Sequence, residues 1–259
     1  MVKATPSAAL ILRDIRSALD ARLDGRADKA KGILPKSPLK ALGVRPSFVR
    51  SIAREIEGKT RTSMGYPVAL ALVDAAVARK VREEILVALE VLEHHQKGFA
   101  PGLFAKVEKW SAVADDLEVA EVLGTRVAAQ ALRLEPSKLS VVKKWAKLRS
   151  VGKRHLAVLA ATGLVMDGHR EATAVLNLAE TLLDEQNPLM VGAVARLLRE
   201  TTRVDAKAVQ DFLFRRSIDG NPDILRAGSE NLDAARRAAL IAKLEAQAAL
   251  TTPLAAAER

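Results

Sequence analysis

The chain has 259 residues, no cysteine, 49% hydrophobic and 28% charged residues, and a formal net charge of +10. That hydrophobic share supplies a sizeable core and excludes the low-hydrophobicity disordered class, while the absence of cysteine excludes disulfides, thiolate nucleophiles and Cys-ligated zinc or iron–sulfur sites. The positive balance points to a polyanionic partner.

Taken in order, the segments read as helix after helix. Residues 8 to 23 place Leu10, Ile11, Ile15, Leu19 and Leu23 at helical spacing, and the charges Arg13 and Asp14 interrupt the apolar start, so no signal peptide is expected. From Lys29 to Arg54 there are basic residues but no acids, with Pro35, Pro38, Gly43 and Pro46 dividing the stretch, which makes it a candidate phosphate surface. Pro46 opens a helix through Ala53 that should end at Gly58, proline being suited to a first helical turn. Helices are expected over 67–79, 82–96, 103–113, 118–134, 137–148, 153–166, 170–185, 188–202, 205–216, 223–232 and 234–250, with a frayed tail beyond about residue 251. Phe212 and Phe214 are aromatic anchors of the segment that contains them. No segment alternates with a strand period, so the fold class is all-α.

Lys109-Trp110 recurs as Lys144-Trp145, 35 positions later. A spacing of roughly 35 to 40 residues between helix pairs describes a HEAT-like solenoid, one domain over residues 1–259, in which each pair buries its apolar face by stacking on the next. Both tryptophans precede apolar helical faces and read as core anchors. Between them, Leu117 and Glu121 share one helical face. The stretch from Pro136 to Met166 carries Lys138, Lys143, Lys144, Lys147, Arg149, Lys153 and Arg154 and no acid, a second surface suited to phosphates. His94 and His95 are adjacent and so point in different directions, with no ligand-like partner spacing; no metal and no cofactor are expected. The longest uncharged apolar run, Leu156 to Met166, is well short of the roughly 20 residues of a membrane span. A monomer in the cytoplasm is expected, with no membrane partner. No phosphate loop or serine nucleophile elbow occurs.

The chain resembles the DNA alkylation repair proteins of the AlkD type, bacterial HEAT-like solenoids. The resemblance is carried by Ala30-Lys31-Gly32, Leu42-Gly43-Val44-Arg45-Pro46 and Val49-Arg50-Ser51-Ile52-Ala53, then by Lys109-Trp110 with Glu121 to Val127. It continues through Lys144-Trp145 with Arg154-His155-Leu156-Ala157, and through Gly192 to Glu200. It covers roughly residues 10 to 240 and implies a basic concave face that holds duplex, damaged or branched DNA by its backbone, with Lys36, Lys40, Arg45, Arg50, Lys143, Lys147, Lys153, Arg154, Arg196 and Arg199 as the contacts. In catalytic members an aspartate and tryptophans engage an alkylated nucleotide. Here the resemblance puts Glu121 in the aspartate's place, Leu117 where a tryptophan stands one turn earlier, Gly152 at a second tryptophan position, His155 for a second arginine and Arg196 for a later tryptophan. It therefore implies a DNA-binding protein with little or no base excision. The alternatives are an alkylpurine glycosylase that uses Glu121 and a HEAT-repeat protein-interaction scaffold.

Overall fold

The computed structural model describes residues 6–23, 37, 39–166, 168 and 172–257, with side chains described as far as residue 249. Lys36, together with Lys29 and Lys31, lies outside the described residues. The helices form two compact units, Met1–Leu139 and Ser140–Arg259. The first holds α1 (Ala8–Asp20), α2 (Pro46–Thr60), α3 (Tyr66–Arg79), α4 (Arg82–Glu93), α5 (Leu103–Trp110), α6 (Leu117–Val122) and α7 (Ala129–Leu134). The second holds α8 (Leu139–Trp145), α9 (Val151–Met166), α10 (Ala172–Glu180), α11 (Pro188–Thr202), α12 (Ala206–Arg215), α13 (Pro222–Gly228) and α14 (Ala234–Ala257). Among the described residues no strand occurs, and the only bridge is an isolated pairing of Lys40 with Val81. The fold is an all-α helical repeat of the HEAT-like kind.

In the first unit α1, α2 and α3 pack around α4. An amphipathic helix buries one stripe, as α1 does with Ile11, Leu12, Ile15 and Leu19, but a helix that is apolar on all sides must be enclosed. Helix α4 is enclosed: every residue from Arg82 to Leu89 is buried, the charged ones included. In the second unit α9 takes that position. The apolar run singled out in the sequence is its buried length, Leu156 to Val165, and α11 packs along it. No helix of the described residues is long and apolar enough to cross a membrane. Helix α13 then comes so close to α11 that a Cβ on Gly228 would stand 2.7 Å from Leu198 Cδ1.

The 35-residue spacing of the tryptophans reappears as a ladder of polar contacts between successive repeats. Lys106 and Trp110 reach Asp74, 32 and 36 positions back, and Asp116 pairs with Arg82 across 34. Arg126 reaches Glu93 and Glu90, 33 and 36 positions back. In the second unit Arg154 pairs with Glu185, 31 positions on, and the Asn221 amide donates to the Glu185 carbonyl across 36. Stacked repeats bring equivalent positions together, so a side chain on one repeat finds its partner about one period away.

The segment expected as a single helix from 118 to 134 is continuous but not uniform. Between α6 and α7, Leu123–Ala128 is wound as a π-helix. Such a widened turn shifts the helical face, and π-turns gather at functional sites. Thr125 Oγ1 donates to the Glu121 carbonyl at 2.6 Å within it.

Candidate functional site

Glu121 sits one turn beyond Leu117 on α6, and α6 is held at its start by a buried carboxylate. One oxygen of Asp116 accepts from the Glu118 and Val119 amides at 3.1 and 3.0 Å, an N-cap that satisfies two of the helix's otherwise unpaired donors. The other takes Arg82 Nε at 2.6 Å. Both side chains are buried, so each is the other's replacement for water, and the pair ties the start of α6 to the start of α4.

Another wall is the start of α2, placed by the loop ahead of it. Glu83, buried on α4, accepts the backbone amides of Leu42, Gly43 and Val44 at 2.8 to 3.3 Å. Gly43 has φ +87°, a conformation that costs glycine little and other residues more. Lys40 also exchanges backbone hydrogen bonds with Lys80 and Arg82 at 2.9 Å. The loop thus docks on α4 and delivers Pro46 as the first residue of α2.

These supports leave a cavity of about 350 Å³ that Glu121 lines. Its apolar wall is Pro46, Val49, Leu86, Leu117 and Val122, and its charged rim is Arg50, Glu90, Glu118, Glu121 and Arg126. No aromatic side chain lines it. Two guanidiniums face three carboxylates. Arg126 bonds Glu93 at 2.6 Å and Glu90 at 3.3 Å. Partial burial works against its charge, but Glu93, Glu90 and Glu121 outweigh that and hold the guanidinium above its ordinary range.

The residues singled out in the sequence are therefore distributed unevenly. Arg50, Leu117 and Glu121 meet at one cavity, whereas Lys40 and Arg45 stand exposed on the loop ahead of α2 and do not line it. In the second unit Lys147, Arg149, Arg154, Leu182 and Glu185 line an open cleft of about 640 Å³. Arg154 is engaged there: Nε lies 2.5 Å from Glu185, and Nη1 donates to the Leu148 and Arg149 carbonyls at 3.0 and 2.9 Å. Lys153 Nζ lies 5.4 Å over the Trp145 ring. Lys143 is half-buried on α8, while Lys147 is exposed. On α11, Arg196 Nη2 is 3.8 Å from Met166 Sδ, and Arg199 donates to the Ala227 carbonyl at 3.0 Å and pairs with Glu230 at 3.3 Å. Gly152 and His155 are buried in α9. Trp110 is fully buried and its indole N–H donates to Asp74 at 2.8 Å; Trp145 is 7% exposed.

Sequence reasoning passed over Glu90, Glu93 and the capping role of Asp116; it held Arg54 as the last residue of the first acid-free run and Arg126 only as part of the family-like stretch after Glu121. The available signal was the period itself: Glu90 and Glu93 are the charged positions in the part of α4 that follows Ile85, and Arg126 lies about one repeat later. Among the described residues no three His, Asp or Glu side chains gather as a metal site.

Comparison with known proteins agrees with this architecture. A solved structure described as a predicted DNA alkylation repair enzyme from Enterococcus faecalis superposes with a TM-score of 0.60, covering 90% of this chain and 100% of that one at 10% sequence identity, a likeness of fold. No curated protein matches the chain. The family model described as DNA alkylation repair enzyme matches residues 16–232, and the chain belongs to that family.

Proposed function

We propose that this member of the family binds DNA through the phosphate backbone and releases alkylated bases slowly or not at all. The observation that carries the reading is the composition of the Glu121 cavity, which lacks any aromatic side chain and has Arg50 and Arg126 in its rim. Loss of an alkylated purine develops positive charge on the sugar, so catalysis requires a carboxylate aimed at that charge and gains from aromatic faces, each worth roughly 0.5 to 2 kcal/mol to a cation. Leu117 offers no such face, and guanidiniums next to Glu121 oppose the developing charge. Backbone binding asks for less. Lys143, Lys144, Lys147 and Arg149 have no carboxylate partner among the described residues, Arg50 is exposed at the cavity rim, and Lys40 is exposed on the loop ahead of α2. Arg154 and Arg199 would have to exchange existing partners for a phosphate.

One observation favours the glycosylase reading: carboxylates outnumber guanidiniums in the cavity, three to two, which suits a cationic base. Single-turnover base release from methylated DNA by wild type, Glu121→Gln and Glu121→Asp separates the two. Equal background release by all three is expected, together with duplex binding whose logarithm falls linearly with that of salt. Rapid release by wild type that disappears in Glu121→Gln would establish the glycosylase, and absence of duplex binding at low salt would reject the DNA reading.

A further inference from the structure

A second cavity, of about 450 Å³, shares Arg50, Glu90 and Arg126 with the first and adds Arg54, Glu93, His94 and Gln96. The two differ in sign. Three guanidiniums stand against two carboxylates in the second cavity, whereas carboxylates predominate in the first. Both carboxylates of the second are already committed, since Glu90 and Glu93 bond Arg126. Arg50 and Arg54 lie one turn apart on α2, so they project to the same side. Both are exposed, and neither has a carboxylate partner among the described residues. Two guanidiniums with free donor edges, a histidine at the end of α4 and an adjoining amide side chain match the tetrahedral, multiply accepting geometry of a phosphate.

We propose that this second cavity is a phosphate subsite, held by Arg50, Arg54 and His94, which takes a DNA backbone phosphate adjoining the nucleotide presented to Glu121. It rests on the DNA-binding reading for the source of the phosphate and gives that reading a location. The shared rim then separates two compartments of one nucleotide: an acidic one for the sugar and base and a basic one for the phosphate.

The test has two arms on the full chain. In the first, inorganic phosphate is titrated at low ionic strength, with chloride as the matched control, while the His94 imidazole resonances are followed. A saturable shift in wild type that Arg54→Gln abolishes is expected, and no phosphate-specific shift would overturn the subsite whatever the protein does with DNA. In the second arm duplex affinity is measured against salt. Arg54→Gln should weaken binding about tenfold and reduce the log–log salt slope by about 0.9, the value for one lost phosphate contact. Lys147→Gln should reduce that slope similarly while leaving the phosphate titration intact. Duplex binding that Arg54→Gln leaves unchanged would overturn the subsite alone. A phosphate titration by a wild type that binds no duplex would overturn the backbone as the source, along with the DNA-binding reading.

Discussion

The two units bury different kinds of polar group. In the first, Arg82, Glu83, Glu84 and Asp116 are inside, all at the start of α4 or directly against it. Glu83 anchors the loop at 42–44, Glu84 takes Arg79 at 2.9 Å and Arg16 at 3.4 Å, and Asp116 joins Arg82 while capping α6. Among the described residues of the second unit, His155 and Asn221 apart, the buried polar groups are hydroxyls. Thr162, Thr201 and Thr202 each donate to a carbonyl four residues back in their own helix, and Ser217 and Ser229, just past the ends of α12 and α13, donate to a carbonyl three residues back in the helix they follow, at 2.7 to 2.9 Å. A hydroxyl bonded within its helix satisfies itself and positions little else. A buried charge must be met by groups from other segments, so the ionic interior of the first unit ties α2, α4 and α6 into the frame of the Glu121 cavity.

Mutating the ionic frame should break this contrast most strongly. Arg82→Ala leaves Asp116 buried beside an empty position and should cost about 3 to 5 kcal/mol in urea unfolding, the range for removing one partner of a buried pair. A loss under 1 kcal/mol would mean that the pair contributes no more than a surface contact.

Glu83→Gln should follow, at about 2 kcal/mol, because hydrogen bonds to a charged acceptor contribute roughly 1.5 to 3 kcal/mol. The accompanying signature is local: amide exchange at Leu42, Gly43 and Val44 should accelerate, while α9 and α11 keep their protection. Unchanged exchange at those three amides would show that the loop is held by other contacts.

On the other side of the comparison, Thr201→Val should cost only about 1 kcal/mol, since it removes one ordinary hydrogen bond and leaves the Leu197 carbonyl within its helix. A cost near that of Arg82→Ala would erase the difference between the two interiors.

The smallest effect concerns acid. Partial burial raises the Asp74 carboxyl, but bonds from Lys106 at 2.6 Å and Trp110 at 2.8 Å, with Lys109 nearby, outweigh it and hold the group below its ordinary value. A carboxyl depressed in the folded state binds fewer protons than in the unfolded chain. Its contribution is therefore present above about pH 4, the unfolded range, and is lost as pH falls through the folded value. The stability gap between wild type and Asp74→Asn should narrow from pH 6 to pH 3, and a gap that widens toward acid would contradict this sign.

The helices and their period were legible in the sequence because both are local or regularly spaced properties. Pro188–Thr202 is a helix over the expected residues, the paired tryptophans mark the repeat, and the expected membership of the DNA alkylation repair family holds. Even the shared face of Leu117 and Glu121 follows from a spacing of four, and both line one cavity. The pairing of charges was decided only by the tertiary structure. Pro136 to Met166 contains no acid, yet Arg154 within it is held by Glu185, a residue that stacking brings back from the following repeat. The π-turn between Leu123 and Ala128 and the joining of Arg50 to Arg126 around Glu121 likewise escaped the sequence. A helix stripe records which face of a segment is apolar, but a side chain's partner depends on which repeat is stacked against it, and that contact forms across some thirty residues of intervening chain.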